Sequence, residues 1–244
     1  MCRHLLHLGP AVTLASLVTE PPHSLLHQSY APRDMRGGGT INVDGFGVGW
    51  FGADGAVRYR TDRPMWSDAS FLELARLTSA EAVLAAVRSA TIGMPLGVAA
   101  CAPFTGDGWL FSLNGRVEGW PASVVKPAEG LPVLDLLTLE ALTDSALVWG
   151  LVRHRLSSGA TPGEALRAVV AEVSAAAPGS RLNLLLTNGR EGYATTAGHS
   201  LSVLRTPGRV VIASEPLDDD PGWQAVPDRR LLTADRSGYT MEEL

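Results

Sequence analysis

The sequence predicts an α+β protein in which two antiparallel sheets carry helices on their outer faces. Three observations point there. Strand-like segments lie in both halves of the chain, with two adjacent helices between them. Several strand pairs are separated by Asp-Gly, Asn-Gly or Pro-Gly turns, which are too short for the crossover that a parallel pair requires. No regular alternation of strand and helix is present, so a parallel sheet does not fit.

The elements follow in order. Phe46 to Phe51 is an apolar run with glycine at alternate positions, Gly47 and Gly49, bounded by Asp44-Gly45. It reads as a strand with one face that must stay thin. Val57 to Arg60 pairs with it after the turn at Asp54-Gly55. Ser79 to Val87 reads as a helix, with Ser79 as its cap and Val83, Leu84 and Val87 on one face. Gly97 to Cys101 and Trp109 to Leu113 read as buried strands. A helix from Asp144 to Leu156 places Leu147, Val148, Leu151 and Val152 on its buried side. The next begins at Thr161, with Pro162 at its first position and Glu164 closing a capping box, and runs to about Ala176. Arg181 to Thr187, Tyr193 to Ala197, Ser200 to Arg205 and Arg209 to Ser214 are short strands. They are punctuated by Asn188-Gly189, Gly198 and Pro207-Gly208. Asp218 to Leu244 reads as polar and irregular, with 234–244 a flexible tail.

A chain of 244 residues, 45% hydrophobic and 18% charged, is long enough for one large globular domain over residues 2–244. Its net charge of −5 argues against nucleic acid, whose phosphates need a basic face. No apolar run approaches the ~20 residues that span a bilayer. Leu5 to Leu17 has the apolar bias of a secretory leader, but His4, His7, Gly9, Pro10 and Thr13 interrupt it. Glu20-Pro21-Pro22 stands where a small-residue cleavage site is needed. The expectation is a cytoplasmic chain with reduced thiols, and two cysteines cannot build a disulfide framework.

The residue with most chemical content is the second. A small side chain after the initiator methionine normally leads to removal of Met1, which would make Cys2 the first residue of the mature chain. Such a cysteine carries nucleophile and base together, because an α-amino group titrates near ~7.7–8.0 and can accept the thiol proton. Cys101 lies in an apolar segment and reads as core. Attack on an amide also needs an oxyanion hole. Phe111-Ser112-Leu113-Asn114-Gly115 offers the Asn114 amide and a close backbone approach at Gly115, although Asn-Gly equally suits a hairpin turn. Arg88 can hold a carboxylate in a fork with Thr91 beside it, or it can complement the end of a helix. Thr143-Asp144-Ser145 supplies a helix cap and leaves Asp144 able to receive an ammonium. His4 and His7 would share a helix face but lack further metal ligands. Gly37-Gly38-Gly39 lacks the flanking strand and helix of a phosphate loop and reads as a mobile loop. Asp218 to Asp220 reads as solvated loop.

The order of these segments is more specific than any one of them. Cys2-Arg3-His4, Asn42 to Trp50, Arg88 to Thr91, Phe111 to Gly115 and Thr143 to Ser145 together resemble the class II glutamine amidotransferases, which are N-terminal-nucleophile hydrolases. Pro21 to Leu26, Ala31 to Thr40 and Ala213 to Trp223 further resemble the amidohydrolases of ergothioneine biosynthesis, which remove glutamate from γ-glutamyl-hercynylcysteine S-oxide. The resemblance runs from Cys2 to about Thr233.

The resemblance implies a four-layer αββα sandwich, an N-terminal-nucleophile hydrolase fold, with Cys2 as nucleophile and its free amine as base. It implies Asn114 and the Gly115 N–H as the oxyanion hole, Arg88 and Thr91 on the glutamyl α-carboxylate, and Asp144 on the α-ammonium. It also implies a small-molecule γ-glutamyl substrate, no metal or organic cofactor, and no nucleic-acid or membrane partner. The oligomeric state stays open. Leu113 departs from the histidine that the class often places before Asn-Gly, which bears on how that turn is supported. Ala146 replaces an acidic residue. Two other functions remain open, a free-standing glutaminase or other γ-glutamyl amide hydrolase, and a catalytically silent γ-glutamyl binder. Trp50, Trp66, Phe104 and Trp109 are aromatic candidates for the trimethylammonium group of the substrate.

Overall fold

Along Arg3–Thr13 both Leu5 and its neighbours Leu6 and Leu8 are buried, so this first strand is covered on both faces. That places it at the centre of a layered fold. The computed structural model describes residues 2–36 and 41–244. The loop expected at Gly37-Gly38-Gly39 lies outside them.

The strands, in chain order, are β1 (Arg3–Thr13), β2 (Phe46–Gly52), β3 (Gly55–Thr61), β4 (Ser79–Val87), β5 (Phe104–Gly106), β6 (Trp109–Arg116) and β7 (Arg181–Thr187). They continue as β8 (Gly192–Thr196), β9 (Ser202–Thr206), β10 (Arg209–Ala213), β11 (Gln224–Ala225), β12 (Arg230–Asp235) and β13 (Gly238–Glu243). One sheet runs β11-β9-β10-β1-β4-β2-β3 and the other β13-β12-β8-β7-β6-β5, with antiparallel pairing throughout. The helices are α1 (Ala15–Val18), α2 (Leu25–Gln28), α3 (Ala69–Leu77), α4 (Val125–Ala128), α5 (Val133–Leu137), α6 (Asp144–Ser157) and α7 (Pro162–Ala176).

Three apolar clusters divide the molecule into layers. Leu6, Leu8 and Leu84 meet Leu110, Leu185 and Leu232 between the two sheets. Leu5, Val83 and Val87 pack against Leu17 and Phe71 on the outer side of the first sheet. Phe111, Leu184 and Leu186 pack against Val152 and Val169 outside the second. The result is the αββα sandwich that the resemblance implies. Gly47 and Gly49 lie between the layers: a Cβ on Gly47 would meet the Ala102 carbonyl at 2.3 Å, and one on Gly49 a Leu110 methyl at 2.8 Å. The thin face is there because the opposite sheet occupies it.

Four local expectations are corrected. Ser79–Val87 is a strand, not a helix, and pairs with both β1 and β2. Its alanines favour a helix in isolation, but eight consecutive positions from Ala80 are buried or flanked by buried residues, and a short apolar run buried on both faces shows no period that separates strand from helix. Gly97 to Cys101 is a loop with one 3-10 turn at Val98–Ala100. The polar C-terminal stretch is not irregular throughout, because Arg230–Asp235 and Gly238–Glu243 form an antiparallel hairpin and the first of them pairs with β8. His4 and His7 lie on a strand, three residues apart, and so face opposite sides of the sheet. The helix starts hold: Thr143 accepts from the Ala146 N–H, and Thr161 and Glu164 form the capping box.

Candidate active site

Sheet pairing sets the position of Cys2. β1 and β4 are in register with Arg3 opposite Val87, so Cys2 lies beside the residues that leave β4, and its Sγ is 3.8 Å from the Ser89 carbonyl oxygen. Arg3 turns to the other side. Its guanidinium forms a buried ion pair with Glu215 at 2.9 Å and donates to the Asp34 carbonyl and, at 3.1 Å, to that of Cys2. The second Glu215 oxygen accepts from the Arg33 N–H at 2.7 Å. A buried pair holds only when its remaining lone pairs are used, and here both carboxylate oxygens are. The strand that follows Cys2 is thereby pinned at its first residues.

Asn114 and Gly115 are not in a hairpin turn. They lie inside β6, opposite Asn183 and Leu182 of β7. A Cβ on Gly115 would meet the Arg181 carbonyl oxygen at 1.8 Å, so the close backbone approach that requires glycine here is to a neighbouring strand. Asn114 is buried, with its Nδ2 3.2 Å from Ser214 Oγ and its Oδ1 without a partner among the described residues. Leu113 points the other way, into the core beneath the outer helices. The residue that departs from the class therefore does not support Asn114, whose support comes from Ser214.

Arg88 follows a strand end, not a helix end, and is 8% exposed. One guanidinium nitrogen donates to the Pro95 carbonyl at 2.8 Å, while Nη1 is buried and has no partner among the described residues. A cationic donor left open in this way is suited to a carboxylate. The Asn42 to Gly45 segment latches the chain around it. Arg88 N–H donates to the Gly45 carbonyl at 2.8 Å and the Ala90 N–H to the Asp44 carboxylate at 2.7 Å. Gly45, at φ +116°, approaches the Cys101 sulfur so closely that a Cβ would sit 2.5 Å from it. Burial pushes the Cys101 thiol up to about 11, as befits a core residue.

Asp144 opens α6 and is also 8% exposed. Its oxygens accept from the Val117 N–H at 3.0 Å and the Ser145 N–H at 2.7 Å. Burial raises its pKa, opposed by those donors and by the Arg88 charge. Because Val117 lies just beyond Gly115, this bond also ties the helix start to the exit of β6.

A cavity of ≈ 30 Å³ has Cys2, Val87, Arg88, Leu113 and Ser145 among its walls, so the residue before β1 meets the end of β4, β6 and the start of α6 there. A larger one of ≈ 780 Å³ is lined by residues close in sequence to those groups, Thr91, Pro95, Val117, Glu118, Trp120 and Leu147 among them. Thr91 is exposed on that rim. None of Trp50, Trp66, Phe104 and Trp109 lines either cavity, and Phe104 is wholly buried in the core. Ser214, Glu215 and Trp120 went unassigned in the sequence, although Ser214-Glu215 lies within a segment that carries the resemblance. No group of three or more metal-ligating side chains occurs among the described residues, and no described helix is long and apolar enough to cross a membrane.

Comparison with known proteins agrees with this geometry. The family model for class-II glutamine amidotransferases matches residues 14–209. The gamma-glutamyl-hercynylcysteine sulfoxide hydrolase of Mycolicibacterium smegmatis is 48% identical over 233 residues, covering 95% of each chain. The protein of the same name from Mycobacterium tuberculosis is 44% identical over 247 residues, covering 100% of this chain and 97% of its own. Among solved structures, a glutamine aminotransferase class-II domain protein from Silicibacter pomeroyi shares the fold, with a TM-score of 0.70 over 99% of both chains at 24% identity. This chain belongs to the class-II glutamine amidotransferases.

Proposed function

We propose that the chain hydrolyses the γ-glutamyl amide of γ-glutamyl-hercynylcysteine S-oxide, releasing glutamate and hercynylcysteine S-oxide. The observation that carries this reading is the identity of 48% and 44%, across 95% and 100% of the chain, to hydrolases named for that substrate. In this reading each group has a role. Removal of Met1 frees the Cys2 amine, which takes the thiol proton. The thiolate attacks the γ-carbonyl carbon, and the oxyanion receives hydrogen bonds from Asn114 Nδ2 and the Gly115 N–H. The C–N bond then breaks as the ammonium of Cys2 returns its proton to the departing nitrogen. This leaves a γ-glutamyl thioester. Water attacks the thioester with the amine as base, and glutamate leaves.

The glutamyl half is held at its α-end. Arg88 offers its open Nη1 to the carboxylate, with Thr91 beside it, and the Asp144 carboxylate faces the ammonium. An enzyme built for the conjugate uses contacts to the remote half to orient the scissile amide, and each such contact contributes ~1–3 kcal/mol of discrimination. The expected kcat/KM for γ-glutamyl-hercynylcysteine S-oxide therefore exceeds that for glutamine by at least about two orders of magnitude. Steady-state assays of glutamate release from both substrates test this. Equal turnover would make the protein a general γ-glutamyl amide hydrolase.

A further inference from the structure

Ser214 follows the last residue of β10 and is fully buried, facing Asn114 across the space between the sheets. Its Oγ has three neighbours. The His4 N–H donates to it at 3.0 Å, Asn114 Nδ2 donates to it at 3.2 Å, and the His4 carbonyl oxygen lies within reach of its proton at 3.3 Å. A hydroxyl carries one proton and two acceptor sites. With the proton on the His4 carbonyl, both acceptor sites are taken by the two N–H donors. The hydroxyl then stands as a fixed acceptor toward Asn114.

That assignment decides which end of the Asn114 amide faces the hydroxyl. The nitrogen end must, and of its two protons one goes to Ser214 while the other is free. The Oδ1 end finds no partner among the described residues and so nothing else selects the rotamer. His4 belongs to the same strand as Cys2, two residues on, whereas Asn114 belongs to the opposite sheet. One hydroxyl thus connects the strand of the nucleophile with the side chain that is to meet the oxyanion.

We infer that Ser214 is the positioning residue of the oxyanion hole, holding the Asn114 amide with its free N–H toward the reacting carbonyl. This rests on the reading of the chain as a γ-glutamyl amide hydrolase in which Asn114 receives the oxyanion. Ser214 itself touches no substrate atom. Its effect is on the fraction of molecules with the amide correctly turned, which the transition state needs and the bound glutamyl group does not.

The test compares Ser214→Ala with Asn114→Ala in glutamate-release assays on the conjugate. Ser214→Ala is expected to lower kcat by about 10- to 100-fold with KM within about twofold, less than the ~10²–10³ of losing the donor itself. In the Asn114→Ala background, Ser214→Ala should cost nothing further, because the group it positions is gone. A γ-glutamyl aldehyde, which adds the thiol to form a tetrahedral oxyanion, should bind the Ser214→Ala variant more weakly by the same factor as the loss in kcat. Glutamate, which forms no oxyanion, should bind it unchanged. Ser214→Cys keeps the volume and a weak acceptor. It should lose less, and it carries the same comparisons if the alanine variant does not fold. An effect that persists undiminished without Asn114, or one that weakens glutamate and aldehyde equally, would overturn the proposal and leave the hydrolase reading standing. A wild-type chain that turns over neither the conjugate nor glutamine would overturn both.

Discussion

The two halves of the site are built by different means. Cys2, Asn114 and Gly115 belong to strands or their immediate extension, and their positions follow from sheet register, the Arg3–Glu215 pair and the Ser214 bridge. Arg88, Thr91 and Asp144 sit where elements end, on the exit from β4 and the first turn of α6. The first half is uncharged at Asn114 and Gly115 and is held by neighbouring strands, with one Asn114 amide proton and the Asn114 carbonyl left open. The second holds charged groups whose pairing is incomplete: Nη1 of Arg88 has no partner among the described residues, and the burial of Asp144 raises its pKa. The division fits the proposed chemistry. Bond-making groups must be fixed before substrate arrives, whereas a grip on a zwitterion is best left with its charge open.

Blocking the amine of Cys2 should show the largest effect. An N-terminal extension that cannot be removed, or Cys2→Ala, is expected to abolish glutamate release while the thermal unfolding midpoint stays close to that of the mature protein. Full activity with the extension in place would detach the chemistry from the strand-built half. Asn114→Ala comes next, with kcat down by ~10²–10³ and KM little changed. A change in KM alone would make Asn114 a sheet residue only.

The grip half should respond differently. Arg88→Ala removes a charge-assisted contact worth about 1.5–3 kcal/mol, or roughly 10- to 150-fold in kcat/KM. Because both substrates share the glutamyl group, the loss should be equal for the conjugate and for glutamine. Unequal losses would move Arg88 from the glutamyl end to the leaving group and blur the comparison.

How much of this could be read beforehand also divides along the same line. The residues proposed for both halves were legible through the order of segments that carries the resemblance, since a single motif such as Asn-Gly or Thr-Asp-Ser fits a turn or a helix cap equally well. Their surroundings were not. The Asn114-Gly115 pair looks like a turn until β7 is placed beside it, since the Arg181 carbonyl that demands glycine is 66 residues away in a strand of ordinary composition. β4 looks like a helix because its alanines are good helix formers, and only the strands on either side override that preference. α3 was missed although Asp68 caps it by accepting from the Phe71 N–H, a local signal that was available. Ser214 has no local signature at all, because its meaning comes from His4 and Asn114, each at least 100 positions away.

Acid titration separates the two halves by sign, through smaller energies. Behind the strand-built half, His4 is held at about 3 chiefly by burial, with its Nδ1 3.2 Å from Ser112 Oγ. His199, whose carbonyl accepts from the Asn183 amide across the strand from Asn114, is held at about 4, again chiefly by burial. Both values lie below the ordinary 6.5, so the unfolded chain binds more protons than the folded one as pH falls. Their contribution is complete above about 6.5 and is lost progressively toward about 4 and then about 3, with a slope of about 1.4 kcal/mol per pH unit for each proton taken up. Asp144 acts in the opposite direction. Its raised pKa means that the folded state favours the protonated carboxyl, so its contribution is complete below the unfolded value of about 3.9 and is lost as pH rises through the folded one. Urea unfolding at a series of pH values between 6.5 and 4 should therefore show stability falling with acid. His4→Asn, which keeps an amide nitrogen near Ser112 but cannot titrate, should reduce that slope by close to one proton. A slope unchanged by His4→Asn would mean that His4 is already protonated in the folded protein, and the strand-built half would then carry a buried charge behind its oxyanion hole.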